Sequence, residues 1–266
     1  MELIDTHAHL YHEQLSGDIG QVIERCKQQG VKAVVLPNIN EHSVQPLLNL
    51  CERSDDIIQF YPAMGLHPCD VKENVEEQLL FFKNEMDKKK YYAVGETGLD
   101  FYWDLTYKEQ QIFSFKKHLE WAISYNLPVI IHSRNSTRAC IDIVKAYGRQ
   151  VKGVFHCFSG TYEEALEIIA LGMYLGIGGS ITYKNSKPLQ EAIQKIGLEH
   201  IVLETDAPFL SPEPHRGKRN ESSYIIYTAH FLAKLKGIDV NKLCGATSYN
   251  AKVLFNIQYN SQHSKS

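Results

Sequence analysis

His7 and His9 stand one residue apart at the end of a short apolar segment that reads as a strand, and alternation along a strand turns both imidazoles to one face. Two imidazoles side by side can hold one divalent metal ion. An isolated H-x-H also occurs in ordinary surface turns, so the pair gains meaning from its company. Glu96 closes a strand in Val94-Gly95-Glu96-Thr97-Gly98, His132 in Ile130-Ile131-His132-Ser133-Arg134, His156 in Val154-Phe155-His156-Cys157-Phe158, and Asp206 in Leu203-Glu204-Thr205-Asp206-Ala207-Pro208. Six ligand-type residues then sit at the carboxyl ends of five strands. Imidazole favours Zn²⁺, Co²⁺ or Ni²⁺, while carboxylates accept Mg²⁺ and Mn²⁺. Six protein ligands leave no open position on one catalytic ion, whereas two ions about 3.5–4 Å apart and bridged by a carboxylate use the whole set.

The elements that must position these residues follow from periodicity. Strands are expected at Leu3–Thr6, Ala33–Leu36, Gln59–Met64, Tyr91–Gly95, Pro128–Ile131, Gly153–Phe155, Met173–Ile177 and Ile201–Glu204. Segments with apolar residues at helical spacing lie between them, such as Ile112, Phe115, Leu119, Ala122 and Ile123. Capping boxes at Thr106-x-x-Glu109 and Thr161-x-x-Glu164 open two of the helices, and Pro188 starts another. Eight strand–helix alternations predict a single (β/α)₈ TIM barrel over residues 1–258, with a polar tail at 259–266; an open doubly wound sheet is the alternative. Barrel enzymes keep their active sites at the carboxyl ends of the strands, where the six candidates fall. Closure makes strand eight a neighbour of strand one, bringing Asp206 beside His7 and His9. His132 and His156 come from strands five and six, which leaves Glu96 on strand four as the bridging candidate.

The chain has 266 residues, a net charge of −3, 44% hydrophobic and 22% charged residues, the composition of a soluble globular protein. No apolar run approaches the ~18 residues of a membrane span, and the N-terminus lacks the pattern of a signal peptide, so a cytoplasmic protein is expected. The six cysteines, at 26, 51, 69, 140, 157 and 244, never reach C-x-x-C spacing and predict free, mostly buried thiols. The charge provides no general basic footprint for nucleic acid, although Arg216-Gly-Lys218-Arg219 is a local basic cluster. Gly176-Ile177-Gly178-Gly179 lacks the third glycine of a dinucleotide fingerprint, so no nucleotide cofactor is expected.

The motifs D-T-H-A-H-L (5–10), G-L-H-P (65–68), V-G-E-T-G-L-D (94–100), I-H-S-R (131–134), H-C-F-S-G (156–160), E-T-D-A-P-F-L (204–210) and R-G-K-R-N (216–220) run in order along nearly the whole chain. Together they resemble the TatD family of metal-dependent deoxyribonucleases. The resemblance implies a metallo-dependent hydrolase barrel with His7, His9, Glu96 and Asp206 on one ion and Glu96, His132 and His156 on the other. It also implies DNA as substrate, with Glu96 and Asp206 as catalytic carboxylates. One departure is Ser222, where many members carry proline. Related barrels often bridge their metals with a carboxylated lysine on strand four, but here that position is Glu96, and Lys88 to Lys90 precede the strand.

Further positions have paired readings. Glu204 precedes Asp206 by two residues and is expected to orient a ligand from behind it or to accept a proton; Asp5 precedes His7 by two and is expected one layer deeper, in a structural role. Arg134 is a phosphate clamp or a surface ion pair; His67 contacts substrate or serves a turn beside Pro68; Lys218 and Arg219 track a nucleic-acid backbone or are merely solvated. The remaining histidines, 12, 42, 118, 200, 215, 230 and 263, carry no pattern. Three functions compete: exonucleolytic hydrolysis of single-stranded DNA ends, hydrolysis of a small amide, ester or aminoacyl-tRNA bond, and a non-catalytic binding scaffold. The ligand set alone does not separate the first two, because a phosphate and a carbonyl need the same Lewis acid and activated water.

Overall fold

The computed structural model describes residues 1–88 and 90–258; the expected tail at 259–266 lies outside the described residues. Eight strands form one all-parallel sheet in sequential order: β1 (Leu3–Asp5), β2 (Val31–Leu36), β3 (Gln59–Met64), β4 (Ala93–Asp100), β5 (Val129–Arg134), β6 (Gly153–Phe155), β7 (Tyr174–Ile177) and β8 (Ile201–Leu203). The helices are α1 (Glu13–Ser16), α2 (Ile19–Gln28), α3 (Val44–Cys51), α4 (Val75–Lys88), α5 (Lys108–Tyr125), α6 (Thr137–Tyr147), α7 (Tyr162–Ala170), α8 (Lys187–Lys195), α9 (Ile225–Lys236) and α10 (Val240–Phe255). The ends of β8 and β1 meet through backbone hydrogen bonds from Thr6 to Leu203, Asp206 to His7 and His9 to Ala207. This seam completes the expected barrel and excludes the open sheet. Among the described residues, no helix is long and apolar enough to cross a membrane.

Alternation along the strands divides the core. Leu3, Val34, Leu36, Val94 and Ile131 belong to the layer packed with the surrounding helices, including Phe115 and Leu119 of α5. Ile4, Ala33, Val35, Ala63, Ala93, Ile130, Val154 and Val202 form a second cluster with Ala251 and Phe255 of α10 and the following Ile257. That cluster fills the barrel from below. Two residues farther along their strands, Ile130 gives way to His132, Val154 to His156 and Val202 to Glu204. The polar site is the next layer above the apolar plug.

Two sequence expectations need correction. Thr106 does not cap α5: its N–H donates to Asp104 Oδ1, Lys108 N–H bonds back to the Leu105 carbonyl, and the helix begins at Lys108. The aspartate turn competes for the backbone that a capping box would have used. Of the six cysteines, all free, only Cys26, Cys140 and Cys244 are buried; Cys51 and Cys157 are half-buried and Cys69 is exposed. The box at Thr161 does form, with both reciprocal bonds, and Pro188 lies in the first turn of α8.

Candidate metal centre

Strand β4 does not end at Glu96 but continues to Asp100, with a bulge between Val94 and Thr97. Inside the bulge the backbone leaves the ladder for Asn38, whose N–H donates to the Gly95 carbonyl while its own carbonyl accepts the Glu96 N–H. Gly98 has φ +137°, and a Cβ there would sit 2.1 Å from the His132 carbonyl oxygen, so only glycine allows β4 and β5 to approach this closely. The bulge aims the Glu96 carboxylate into the barrel.

Glu96 is 1% exposed and surrounded by imidazoles. Its Oε2 lies 3.1 Å from His7 Nε2 and 3.4 Å from His9 Nε2. Its Oε1 lies 2.9 Å from His132 Nδ1, 3.1 Å from His156 Nε2 and 3.6 Å from His67 Nε2. Asp206 Oδ1 is 3.7 Å from both His7 and His9 Nε2. Burial alone would raise the Glu96 carboxyl; the imidazoles packed around it, His156 and the hydrogen-bonded His132 among them, outweigh it and hold the group well below the usual range. Burial raises Asp206 to about 6, although His156 and His9 oppose the shift.

The outer nitrogens of the rings indicate which could hold a cation. Tyr11 Oη donates to the Pro37 carbonyl and therefore accepts from His9 Nδ1 at 3.0 Å, leaving the His9 Nε2 lone pair facing Glu96 and Asp206. His132 Nε2 donates to Asp100 Oδ2 at 2.9 Å, which leaves Nδ1 as the inward atom. His156 Nδ1 lies 3.2 Å from Glu204 Oε1, again leaving Nε2 inward. His67 is the opposite case. Its Nδ1 accepts the Cys69 N–H at 3.1 Å, so neutral His67 carries its proton on Nε2 and points a donor into the site. Burial lowers the His67 pKa to about 3 and keeps the ring neutral.

The donor set fits divalent ions: His7, His9 and Glu96 converge within 4.8 Å, as do His7, His156 and Asp206, and no lysine or arginine forms an ion pair with Glu96 or Asp206 among the described residues. A family model described as TatD related DNase matches residues 4–256. The chain belongs to the TatD family of metal-dependent hydrolases. This TatD-family chain is 40% identical over 256 residues to the uncharacterized metal-dependent hydrolase YabD of Bacillus subtilis, covering 96% of this chain and 99% of that one. It is 31% identical over 261 residues to the 3′-5′ ssDNA/RNA exonuclease TatD of Erwinia tasmaniensis, covering 96% and 100%. The crystal structure of YjjV, a TatD homologue from Escherichia coli, superposes with a TM-score of 0.87 at 30% identity, covering 96% of this chain and 98% of that one.

Around the site of this TatD-family protein, the supporting positions divide. Glu204 Oε1 also accepts the Cys157 N–H at 2.6 Å, and a Cβ at Gly176 would fall 2.3 Å from Glu204 Oε2. Asp5, expected in a structural role, ties the β1–β8 seam by accepting the N–H groups of His7 and Thr205 and the Thr205 hydroxyl. Arg134 makes no ion pair among the described residues and stacks on Tyr102 at the rim. Lys218 is exposed and forms no ion pair with the cluster among the described residues, while Arg219 is committed to Asp18 through bonds of 2.6 and 2.7 Å and to the Gln14 carbonyl. Arg219 is therefore a structural residue, not a backbone-tracking one. His118, for which the sequence offered no role, is a core residue that accepts the Leu66 N–H and bonds to the Ser114 carbonyl.

Sequence reasoning missed two positions, Asp100 and Tyr11, that hold the outer nitrogens of His132 and His9. Asp100 was legible in principle: it lies four residues after Glu96 on one strand, hence on the same side. Tyr11 follows β1 in an irregular turn and had no such signal.

Proposed function

We propose that this protein is a divalent-metal-dependent deoxyribonuclease that hydrolyses phosphodiester bonds at single-stranded DNA ends, using two ions. The observation that carries this reading is the division of Glu96: one carboxylate oxygen faces His7 and His9, the other faces His132 and His156. In this assignment His7, His9, Glu96 and Asp206 hold one ion, and Glu96, His132 and His156 hold the second. The ions supply Lewis-acid charge at the phosphoryl oxygens and acidify water.

The accessible members of the cluster define where substrate enters. His7, His9, Glu96 and His156 side chains are at most 4% exposed, whereas Asp206, His132 and His67 reach 15–16%. Asp206 is the group that takes the proton of the attacking water, being the more exposed carboxylate at the mouth of the cluster. His67 Nε2–H donates to a phosphoryl oxygen, and Arg134 or Lys218 holds phosphate farther along the strand. A single-stranded nucleic acid is favoured as substrate by the full-length similarity to a relative described as a 3′-5′ ssDNA/RNA exonuclease, and DNA by the family description TatD related DNase.

The test is hydrolysis of 3′-labelled single-stranded DNA by purified protein with Mg²⁺ or Mn²⁺, beside a small carboxylic ester. Shortening of the DNA is expected, and its loss in Asp206→Asn. Cleavage of the ester with intact DNA would replace this reading with small-molecule hydrolysis.

A further inference from the structure

Past their cluster residues, β4 and β5 run out to the rim, where Tyr102 and Arg134 are in the wall of a groove of about 1130 Å³ and Trp103, with Asp100, lines a small separate cavity. Tyr102 and the adjacent Trp103 are 52% and 68% exposed, unusual for rings of this size next to a buried polar site. The Arg134 guanidinium lies 3.8 Å from the Tyr102 ring centroid and 5.0 Å from that of Trp103, and the two rings meet edge to face at 4.9 Å. Arg138, also in the groove, is occupied by Asp142 and Glu167, but Arg134 has no carboxylate partner among the described residues. Asp104, the acid following Trp103, caps the Thr106 N–H.

This platform is held in place. Asp100 Oδ1 accepts the N–H groups of Tyr102 at 2.9 Å and Trp103 at 3.2 Å, while Oδ2 accepts from His132 Nε2. Phe101 N–H donates to the Arg134 carbonyl. One carboxylate thus fixes both the aromatic loop and a candidate metal ligand, so a ligand stacked on the loop is positioned relative to the cluster.

We propose that Trp103 and Tyr102, with Arg134 beside them, form a nucleobase-stacking site for the single-stranded DNA whose phosphodiester enters the cluster. This rests on the phosphodiesterase reading above. An exposed ring takes any base on its π-face, and a guanidinium without a carboxylate partner complements the adjoining phosphate. Stacking requires an unpaired base, so this site selects single strands over duplex, a preference that neither the ligands nor the net charge provides.

The experiment compares wild type, Trp103→Ala and Trp103→Phe on a thymidine octamer, on the same octamer with abasic sites in its last three positions, and on methyl p-nitrophenyl phosphate, all with Mn²⁺. Trp103→Ala is expected to raise KM for the octamer about 10-fold with kcat and small-ester turnover retained, Trp103→Phe to restore most of the loss, and the abasic octamer to show the same rise with wild type. Unchanged KM in Trp103→Ala, or equal KM for abasic and intact octamers, overturns the proposal. If Trp103→Ala does not fold, the abasic comparison on wild type decides alone. If wild type cleaves neither phosphodiester, the parent reading fails, and fluorescence decides the platform separately. Octamer quenching of tryptophan emission in EDTA that disappears in Trp103→Phe, where Trp121 remains, supports stacking, and no quenching overturns it.

Discussion

Asp100 is the residue on which the proposed second ligand set turns. Its carboxylate accepts from His132 Nε2, keeping the Nδ1 lone pair directed at Glu96, and burial is overcome by that bond and by the Tyr102 N–H, so the acid is held well below its ordinary pKa. Asp100→Asn keeps the shape but can offer an N–H where the ring needs an acceptor. A 10–100-fold weaker binding at one of two sites is expected by titration calorimetry with Mn²⁺, the other site being unaffected. Two equal, unweakened sites would refute the role given to Asp100. Gly176 is a second sensitive point, since a methyl group there meets Glu204 Oε2 at 2.3 Å and the His156 Cα at 3.1 Å. Gly176→Ala should displace Glu204 and lower both thermal stability and metal content; a variant with wild-type Tm and metal content would contradict this. The six central side chains were legible in the sequence because each follows closely on a recognisable apolar strand, although irregularities in β1 and the bulge in β4 put His7, His9 and Glu96 out of step with the interior residues Ile4 and Ala93. The residues behind them were only half legible. Glu204 follows the interior Val202 by two and Asp100 follows Glu96 by four, whereas the structural partner of Asp5, Thr205, is 200 residues away and had no local signal.

At the level of elements, the sequence pattern located all eight strands because each carries a short β-branched or apolar run between helical segments. What it could not locate was the extension of β4 and β5 past their polar residues, since a carboxylate or histidine in mid-strand reads as an ending. That extension depends on glycine. Gly98 takes φ +137° with a phantom Cβ 2.1 Å from the His132 carbonyl oxygen, a backbone contact that no rotamer relieves. Gly98→Ala should therefore destabilise the fold by about 3 kcal/mol or more, read by urea denaturation. Thr161→Ala, at the cap of α7, should cost only about 1 kcal/mol, because it removes one exposed cap without a steric conflict. A reversal of this order would mean that the β4–β5 contact relaxes more readily than the glycine geometry allows.

The whole molecule closes where its two ends of sequence meet, and charge latches that seam from outside. Arg219 and Arg25 both reach Asp18, and Arg25 also pairs with Glu221. The Arg219 and Arg25 bonds hold the Asp18 carboxyl below its ordinary value of 3.8. A depressed carboxyl contributes stability above its unfolded pKa and loses it as pH falls through the folded one, so the Tm deficit of Arg219→Ala should be full at pH 7 and shrink as the pH is taken below 3.8. Inside the barrel the cluster packs imidazole on imidazole: neutral His7 can donate from Nε2 to the His9 Nε2 lone pair at 3.1 Å, and the His7 and His156 rings stack at 3.7 Å. Burial, reinforced by His156, pushes the His7 pKa well below its ordinary value. Divalent ions placed among these lone pairs would bind the folded barrel and not the unfolded chain. Free ion at 100 times its Kd then adds about 2.7 kcal/mol of stability for each site it fills. For a barrel of this size that corresponds to a Tm about 5–10 °C higher per site than in EDTA, measured by calorimetry at constant pH. Glu96→Gln should abolish the difference by weakening the shared ligand of both sites. An EDTA-treated protein that loses its metal but keeps its Tm would show that the barrel stabilises the crowded imidazoles by itself, and that the ions serve chemistry alone.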